Sequence, residues 1–417
     1  MTSGAGWHHV SVGFASDEAD GALARLRAAA SAREAAGLRR TLIARSPGFD
    51  GMLDLASNDY LGLCRDPRVT AGAVAAAREW GTGSTGSRLV TGTTALHTRL
   101  EAALAAFTGA PEALVTSSGY LANLAVVTAL AAGLRASGTV LIISDERNHA
   151  SLIDACRLAR GTGVRLAIAP HRDAAAVWDL LAARTEESAL VVSDSVFSVE
   201  GALAPVADLH AAARAHGALL LLDEAHAFGV LGPGGRGLAA AAGLDAEPDV
   251  VRTVTLSKSL AGQGGAVLGT AEVTETIVDV GRGVIFDTGL APPSAGAALA
   301  ALEVVRDSPE LGPSALANAR RLAEIAVDLG FTVLPPSAAV VAVVLGDPLL
   351  AVAAREVCAR HGVRAGCFRP PSVPAGQACL RLTARATLTE GDFSIAAQAL
   401  AKVRDHSGVD VHPLFRQ

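Results

Sequence analysis

Six short runs rich in Val, Ile, Leu and Ala constrain this chain more than any other feature of its sequence. They are TVLIIS (139–144), VRLAIA (164–169), ALVVS (189–193), ALLLLD (218–223), VVRTVTLS (250–257) and AVLG (266–269). A strand with one face in water alternates polar and apolar residues, so runs without that alternation suit strands covered on both faces. Helical stretches accompany them, such as ALHTRLEAALAAFTG (95–109) and LANLAVVTALAAGL (121–134). Strands separated by helices build βαβ units. The predicted fold class is therefore α/β, with a mostly parallel sheet flanked by helices.

The pattern changes at both ends. Residues 20–46 carry alanine and arginine at helical spacing, and LDLASNDYLGL (53–63) reads as a short strand and a turn. After about residue 300 come two long helical stretches, SAGAALAALEVVRDS and PSALANARRLAEIAVDLG, and then strands at 338–346 and 378–385 with a helix between them. This predicts an N-terminal helix and strand segment over 1–60, a large domain over 61–300 and a smaller C-terminal α+β domain over 301–417.

Charge and composition exclude several functions. A formal net charge of −6 leaves no basic footprint for nucleic acid or an anionic membrane. No apolar run reaches the ~18 residues that a membrane span needs. MTSGAGWHHVSVGFASDEAD lacks the n- and h-regions of a secretory signal. Five cysteines without a CxxC pair point to reduced thiols and a cytoplasmic protein. The pair His8–His9 is read as solvated, and no metal site is expected.

In open α/β sheets, ligands bind beyond the carboxyl ends of the strands. Polar clusters follow four of the runs here: Asp223, Glu224 and His226; Thr255, Ser257 and Lys258; Asn148, His149 and Ser151; Asp194 and Ser198. Singly, each has a plain structural reading as a cap, a turn or a core hydrogen bond. The lysine breaks the tie. The chain uses arginine almost throughout and keeps lysine only at Lys258 and Lys402. A guanidinium stays protonated and forms no imine, whereas a primary amine does. Lys258, with Asp223 thirty-five residues earlier at another strand end, matches the lysine and ring-nitrogen acid of a pyridoxal phosphate (PLP) enzyme. SSGYLAN (117–123) opens a helix where a phosphate could sit, and Thr255 offers a hydroxyl to the same group.

At this point the chain resembles the α-oxoamine synthases, PLP-dependent transferases of fold type I. The resemblance spans roughly residues 23–400 and rests on LASNDYLGL, GTGSTGSRLVTGTTALHTRLE, SSGYLAN, NHASLIDA, DSVFSVEGALAP, LLDEAHAFGVLGPGGRG, TLSKSLAGQGGAVLG and FRPPSVPAGQACLRLT in that order. DEAH alone also occurs in helicases, but no P-loop accompanies it. The resemblance implies PLP on Lys258, Asp223 at the ring nitrogen, His149 on the ring face, and His226 and Ser198 near the ring oxygen. It implies Gly119, Tyr120 and Thr255 at the phosphate, joined by Thr288 from a second subunit of a homodimer. Arg381 and Asn58 are implied at the amino-acid carboxylate, and Arg39 and Ser372 on the acyl side.

FRPPSVPAG, with Arg369 before two prolines, is more similar to the biotin-pathway branch than to glycine-using siblings that make aminoketobutyrate or aminolevulinate, or to siblings that make sphingoid bases. That branch implies a decarboxylative condensation of L-alanine with pimeloyl-CoA or a pimeloyl carrier protein, and Arg369 facing the distal carboxylate of the acyl chain. Ser372 stands where that branch usually has threonine, and Gly289 and Ala291 where some relatives have serine and proline. A non-catalytic scaffold subunit is the remaining alternative, against which the retained Lys258 argues.

Overall fold

Ile142 and Ile143 are neighbours, both wholly buried, yet they belong to different cores. Successive side chains of a strand point to opposite faces, so this pair shows why the run is apolar throughout. The structure is a computed structural model that describes residues 21–45 and 51–407; His8–His9 and the first twenty residues, read as lacking a secretory signal, lie outside them.

Strand β1 (Leu53–Leu55) stands apart from the next seven in sequence. These are β2 (Glu112–Thr116), β3 (Val140–Asp145), β4 (Arg165–Ala169), β5 (Ser188–Asp194), β6 (Leu219–Asp223), β7 (Val250–Thr255) and β8 (Gly265–Gly269). They form one sheet in the order β2-β8-β7-β6-β5-β3-β4. Pairings from β4 through β7 are parallel, and β8 runs antiparallel to both of its neighbours. Helices Gly119–Arg135, Ala150–Arg160 and Ala271–Val280 cover one face through Ala122, Val126, Leu152, Val273 and Ile277. Helices Ala174–Ala182 and Val206–Ala215 cover the other through Val177, Leu181 and Leu209. Each such fully buried aliphatic side chain contributes about 1.5–3 kcal/mol, so coverage on both faces fixes the sheet.

A second sheet contains β1 with β9 (Thr332–Val333), β10 (Val340–Gly346), β11 (Val363–Phe368) and β12 (Ala378–Thr383), in the order β1-β11-β12-β10-β9. Helices Leu311–Asp328, Pro348–Arg360 and Glu390–Ser407 pack on it through Leu322, Val357, Phe393 and Leu400. The register Leu53↔Val363 joins the N-terminal strand to this late sheet. That pairing carries the chain directly after β1 to the side of Arg381 on β12. Helix Ala22–Ala35 buries none of its residues. No helix among the described residues is long and apolar enough to cross a membrane.

Candidate active site

Strands β5, β6 and β7 end side by side, and the register aligns Asp194 with Asp223 and Asp223 with Thr253. Asp223 Oδ2 accepts from Asn123 Nδ2 at 2.6 Å, and Oδ1 accepts the Ala225 N–H at 2.8 Å. Asp194 is buried beside it, and burial together with the Asp223 charge pushes its carboxyl well above the usual range. Asp194 Oδ2 accepts the His149 N–H at 2.7 Å. That bond fixes the backbone of His149, which caps helix Ala150–Arg160 with Nδ1 on the Ser151 hydroxyl at 2.7 Å. Glu224 turns the other way: its Oε1 accepts the Ala239 N–H at 3.1 Å, so within DEAH the acid next to Asp223 belongs to the fold.

Beyond β7, Lys258 Nζ lies 2.8 Å from His226 Nε2. Loss of hydration lowers the Lys258 ammonium to about 8, with the nearby Asp223 charge opposing the shift. His226 is held well below the usual histidine range by burial, then by the Lys258 and Arg381 charges. It is therefore a neutral imidazole with one donor and one acceptor nitrogen. Its Nδ1 meets the hydroxyl of Tyr60 at 2.5 Å. Tyr60 has no solvent exposure, and burial raises its phenol to about 12. Arg381 Nη2 donates to Asn58 Oδ1 at 2.9 Å and reaches the Tyr60 oxygen at 3.4 Å. The Arg381 Nε is buried without a hydrogen-bond partner, a donor left for an anionic ligand.

A third cluster gathers at the start of helix Gly119–Arg135, which Ser118 caps by accepting the Leu121 N–H at 3.1 Å. A Cβ on Gly265 would lie 2.6 Å from Gly119 Cα, so the helix end approaches β8 this closely because residue 265 is glycine. A Cβ on Gly119 would lie 3.0 Å from Thr255 Cβ. The Thr255 hydroxyl, 2.7 Å from that of Ser257, thereby stands at the helix N-terminus. Tyr120 contributes its place in the first turn, while its hydroxyl donates to Asp154 Oδ2 at 2.6 Å.

The sheet edge thus collects Lys258, Asp223, His226, His149, Gly119, Tyr120 and Thr255, and β1 and β12 bring Asn58 and Arg381 beside them. Ser198 is half-buried on the loop after β5. Among the described residues, no hydrogen bond or ion pair links Arg39, Ser372 or Thr288 to this cluster. Arg39 is exposed and pairs with Glu34 at 2.7 Å. Ser372 is exposed, its N–H donating to the Arg369 carbonyl at 3.0 Å. Thr288, also exposed, bridges Ser87. Arg369 is buried, and its Nη1 donates to the carbonyls of Gly37 and Arg39. It holds the N-terminal segment by its backbone.

Two residues of the cluster escaped the sequence reading. Tyr60 lies inside a motif read as a strand and turn. Asn123 lies in the apolar helical stretch 121–134, where a single buried amide among Ala, Leu and Val was the available signal.

The donor set fits PLP: an amine of lowered proton affinity, a carboxylate on the adjoining strand, a glycine-lined helix N-terminus with a hydroxyl, and an unpaired buried guanidinium nitrogen. Comparison with known proteins gives the same answer. The family model for aminotransferases of class I and II matches residues 50–400. An 8-amino-7-oxononanoate synthase of Mycobacterium sp. (strain JLS) is 55% identical over 381 residues, which is 91% of this chain and 96% of the relative. A Sphingomonas wittichii serine palmitoyltransferase superposes with a TM-score of 0.85 at 29% identity, over 94% of this chain and 98% of that one. SPT solved with a PLP internal aldimine gives 0.80 at 30% identity, over 86% and 88% of the two chains.

Proposed function

We propose, for a chain that belongs to the class I and II aminotransferase family and within it to the 8-amino-7-oxononanoate synthases, a decarboxylative condensation of L-alanine with a pimeloyl thioester. The products are 8-amino-7-oxononanoate, CO₂ and the free thiol of CoA or of a carrier protein. The observation that carries this reading is the placement of Lys258 just beyond β7 and Asp223 at the end of the adjoining β6. When bound, PLP supplies a protonated ring that accepts the electron pair left at the alanine Cα.

The chain's own residues do the rest. Arg381 and Asn58 bind the alanine carboxylate, with the unpaired Nε of Arg381 as the free donor. That clamp and His149 orient the Cα–H bond, which is worth more than contact alone because alignment lowers the barrier. Lys258 Nζ anchors the cofactor and, once freed, takes the Cα proton. An ammonium lowered to about 8 can return a proton as readily as accept one near neutral pH. His226 and Ser198 hold the ring oxygen. Gly119, the Tyr120 backbone and Thr255 hold the phosphate, with Thr288 of a second subunit completing that cradle in a homodimer. Arg39 and Ser372 face the acyl donor. All five cysteines are unpaired thiols, which supports a reducing, cytoplasmic setting.

Incubation with PLP, alanine or glycine, and pimeloyl-CoA or shorter and longer acyl-CoAs tests the assignment. The reading requires 8-amino-7-oxononanoate by mass, with alanine and the pimeloyl donor preferred. A glycine-derived ketone as the main product overturns it.

A further inference from the structure

The groups assigned to the cofactor's ring nitrogen and to its ring face share one buried support. Asn123 is 2% exposed. Its Nδ2 donates to Asp223 Oδ2 at 2.6 Å and to Ser151 Oγ at 2.9 Å. Ser151 in turn meets His149 Nδ1 at 2.7 Å. The Asn123 Oδ1 accepts from the Thr253 hydroxyl at 2.7 Å. A primary amide has two hydrogens and one oxygen to place, and here all three are used. The acceptor-only Asp223 carboxylate decides which end of the amide faces it, because the flipped amide would aim an oxygen at it, and the Thr253 hydroxyl then donates to the amide oxygen. Ser151 and Thr253 are at most 1% exposed, so no water competes for these bonds.

We propose that Asn123 is a positioning residue that sets Asp223 and, through Ser151, His149 in one fixed relation, with Thr253 holding its amide oxygen. This rests on the reading of Asp223 as the partner of the ring nitrogen. Asp223 stands in register with Asp194 on β5, and a carboxylate held through one oxygen alone is free to turn about its Cβ–Cγ bond. Two N–H donors, one from Asn123 and one from Ala225, occupy separate oxygens and stop the rotation. Within the amide, the same nitrogen sends its other hydrogen toward the His149 side, so a shift of one group moves the other.

The test measures PLP affinity by fluorescence quenching and exchange of the alanine Cα proton in D₂O, neither of which needs an acyl donor. If wild type fails with pimeloyl-CoA, the proposed reaction falls while this result still stands. Asn123→Leu is expected to weaken PLP binding and slow exchange by about 10- to 100-fold, the range for a lost hydrogen bond to a charged group. Thr253→Val removes only the hydroxyl on the amide oxygen and is expected to slow exchange about 3- to 10-fold, the range for a lost hydrogen bond between neutral groups. In an Asp223→Ala background, Asn123→Leu is expected to weaken PLP less than about threefold further, because coupled residues are not additive. Should Asn123→Leu fail to fold, Thr253→Val decides. Exchange unchanged in Thr253→Val, or an equal penalty for Asn123→Leu in both backgrounds, overturns the proposal.

Discussion

His226 stands between two residues from distant parts of the chain, with Nε2 2.8 Å from Lys258 Nζ and Nδ1 on the hydroxyl of Tyr60. Tyr60 reaches it because β1 pairs with β11 in the second sheet. Removing the hydroxyl strands a buried ring nitrogen, at a cost of about 1–3 kcal/mol. Tyr60→Phe should therefore lower kcat about tenfold and reduce stability by a similar energy. Steady-state kinetics and urea unfolding measure the two effects separately.

Lys258 makes a pH prediction with a definite sign. Only the neutral amine attacks an aldehyde, and burial lowers the Lys258 ammonium to about 8. Below that pH the group is protonated, so the rate of PLP capture by the cofactor-free protein should climb as pH rises. It should level above about 8, whereas an ordinary lysine keeps gaining until about pH 10.4. Stopped-flow absorbance across about pH 6.5–9.5 separates them, because a plateau is reached within that window only for the lowered group.

Arg381 donates to Asn58 and Tyr60 and keeps one buried Nε free. A lysine retains the charge but loses the planar fork that meets a carboxylate with two bonds. Arg381→Lys should raise the KM for alanine about 10- to 100-fold, the range of a lost charge-assisted bond, while PLP affinity moves little. Titrations of alanine and of PLP on the same variant check both halves.

Gly119 probes the cradle. A methyl there would stand 3.0 Å from Thr255 Cβ, closer than ordinary contact. Gly119→Ala is expected to push Thr255 aside and weaken PLP about tenfold, the effect of losing one hydrogen bond to a charged phosphate. Melting of the cofactor-free protein should hardly change, because alanine favours a helix start no less than glycine does.

The large sheet was legible because β3 and β5 through β8 are buried on both faces and leave short apolar runs, whereas β4, at the sheet's edge, keeps an apolar run although Arg165 and Ile168 are exposed. Strand β2 was not: only Leu114, Val115 and Thr116 of Glu112–Thr116 are buried, so its signal is short. Strand β11 reads VRAGCF, its polar and small residues hiding a strand that supports the substrate side. Of the site, Lys258 stood out by rarity and Asp223 by its place after a run. Tyr60 and Asn123 stayed hidden because a buried aromatic and a helical amide look like core until a fold gives them partners. Arg369, singled out by its place before two prolines, sets its Nη1 on the carbonyls of Gly37 and Arg39.

The most direct measurement uses the scarcity of lysine. Protein loaded with PLP is treated with borohydride, which reduces any imine to a stable amine, and its peptides are mapped by mass. The account predicts a phosphopyridoxyl group on Lys258 and none on Lys402, the other lysine of the chain. Label on Lys402, or an unlabelled Lys258 peptide from fully loaded protein, would contradict it.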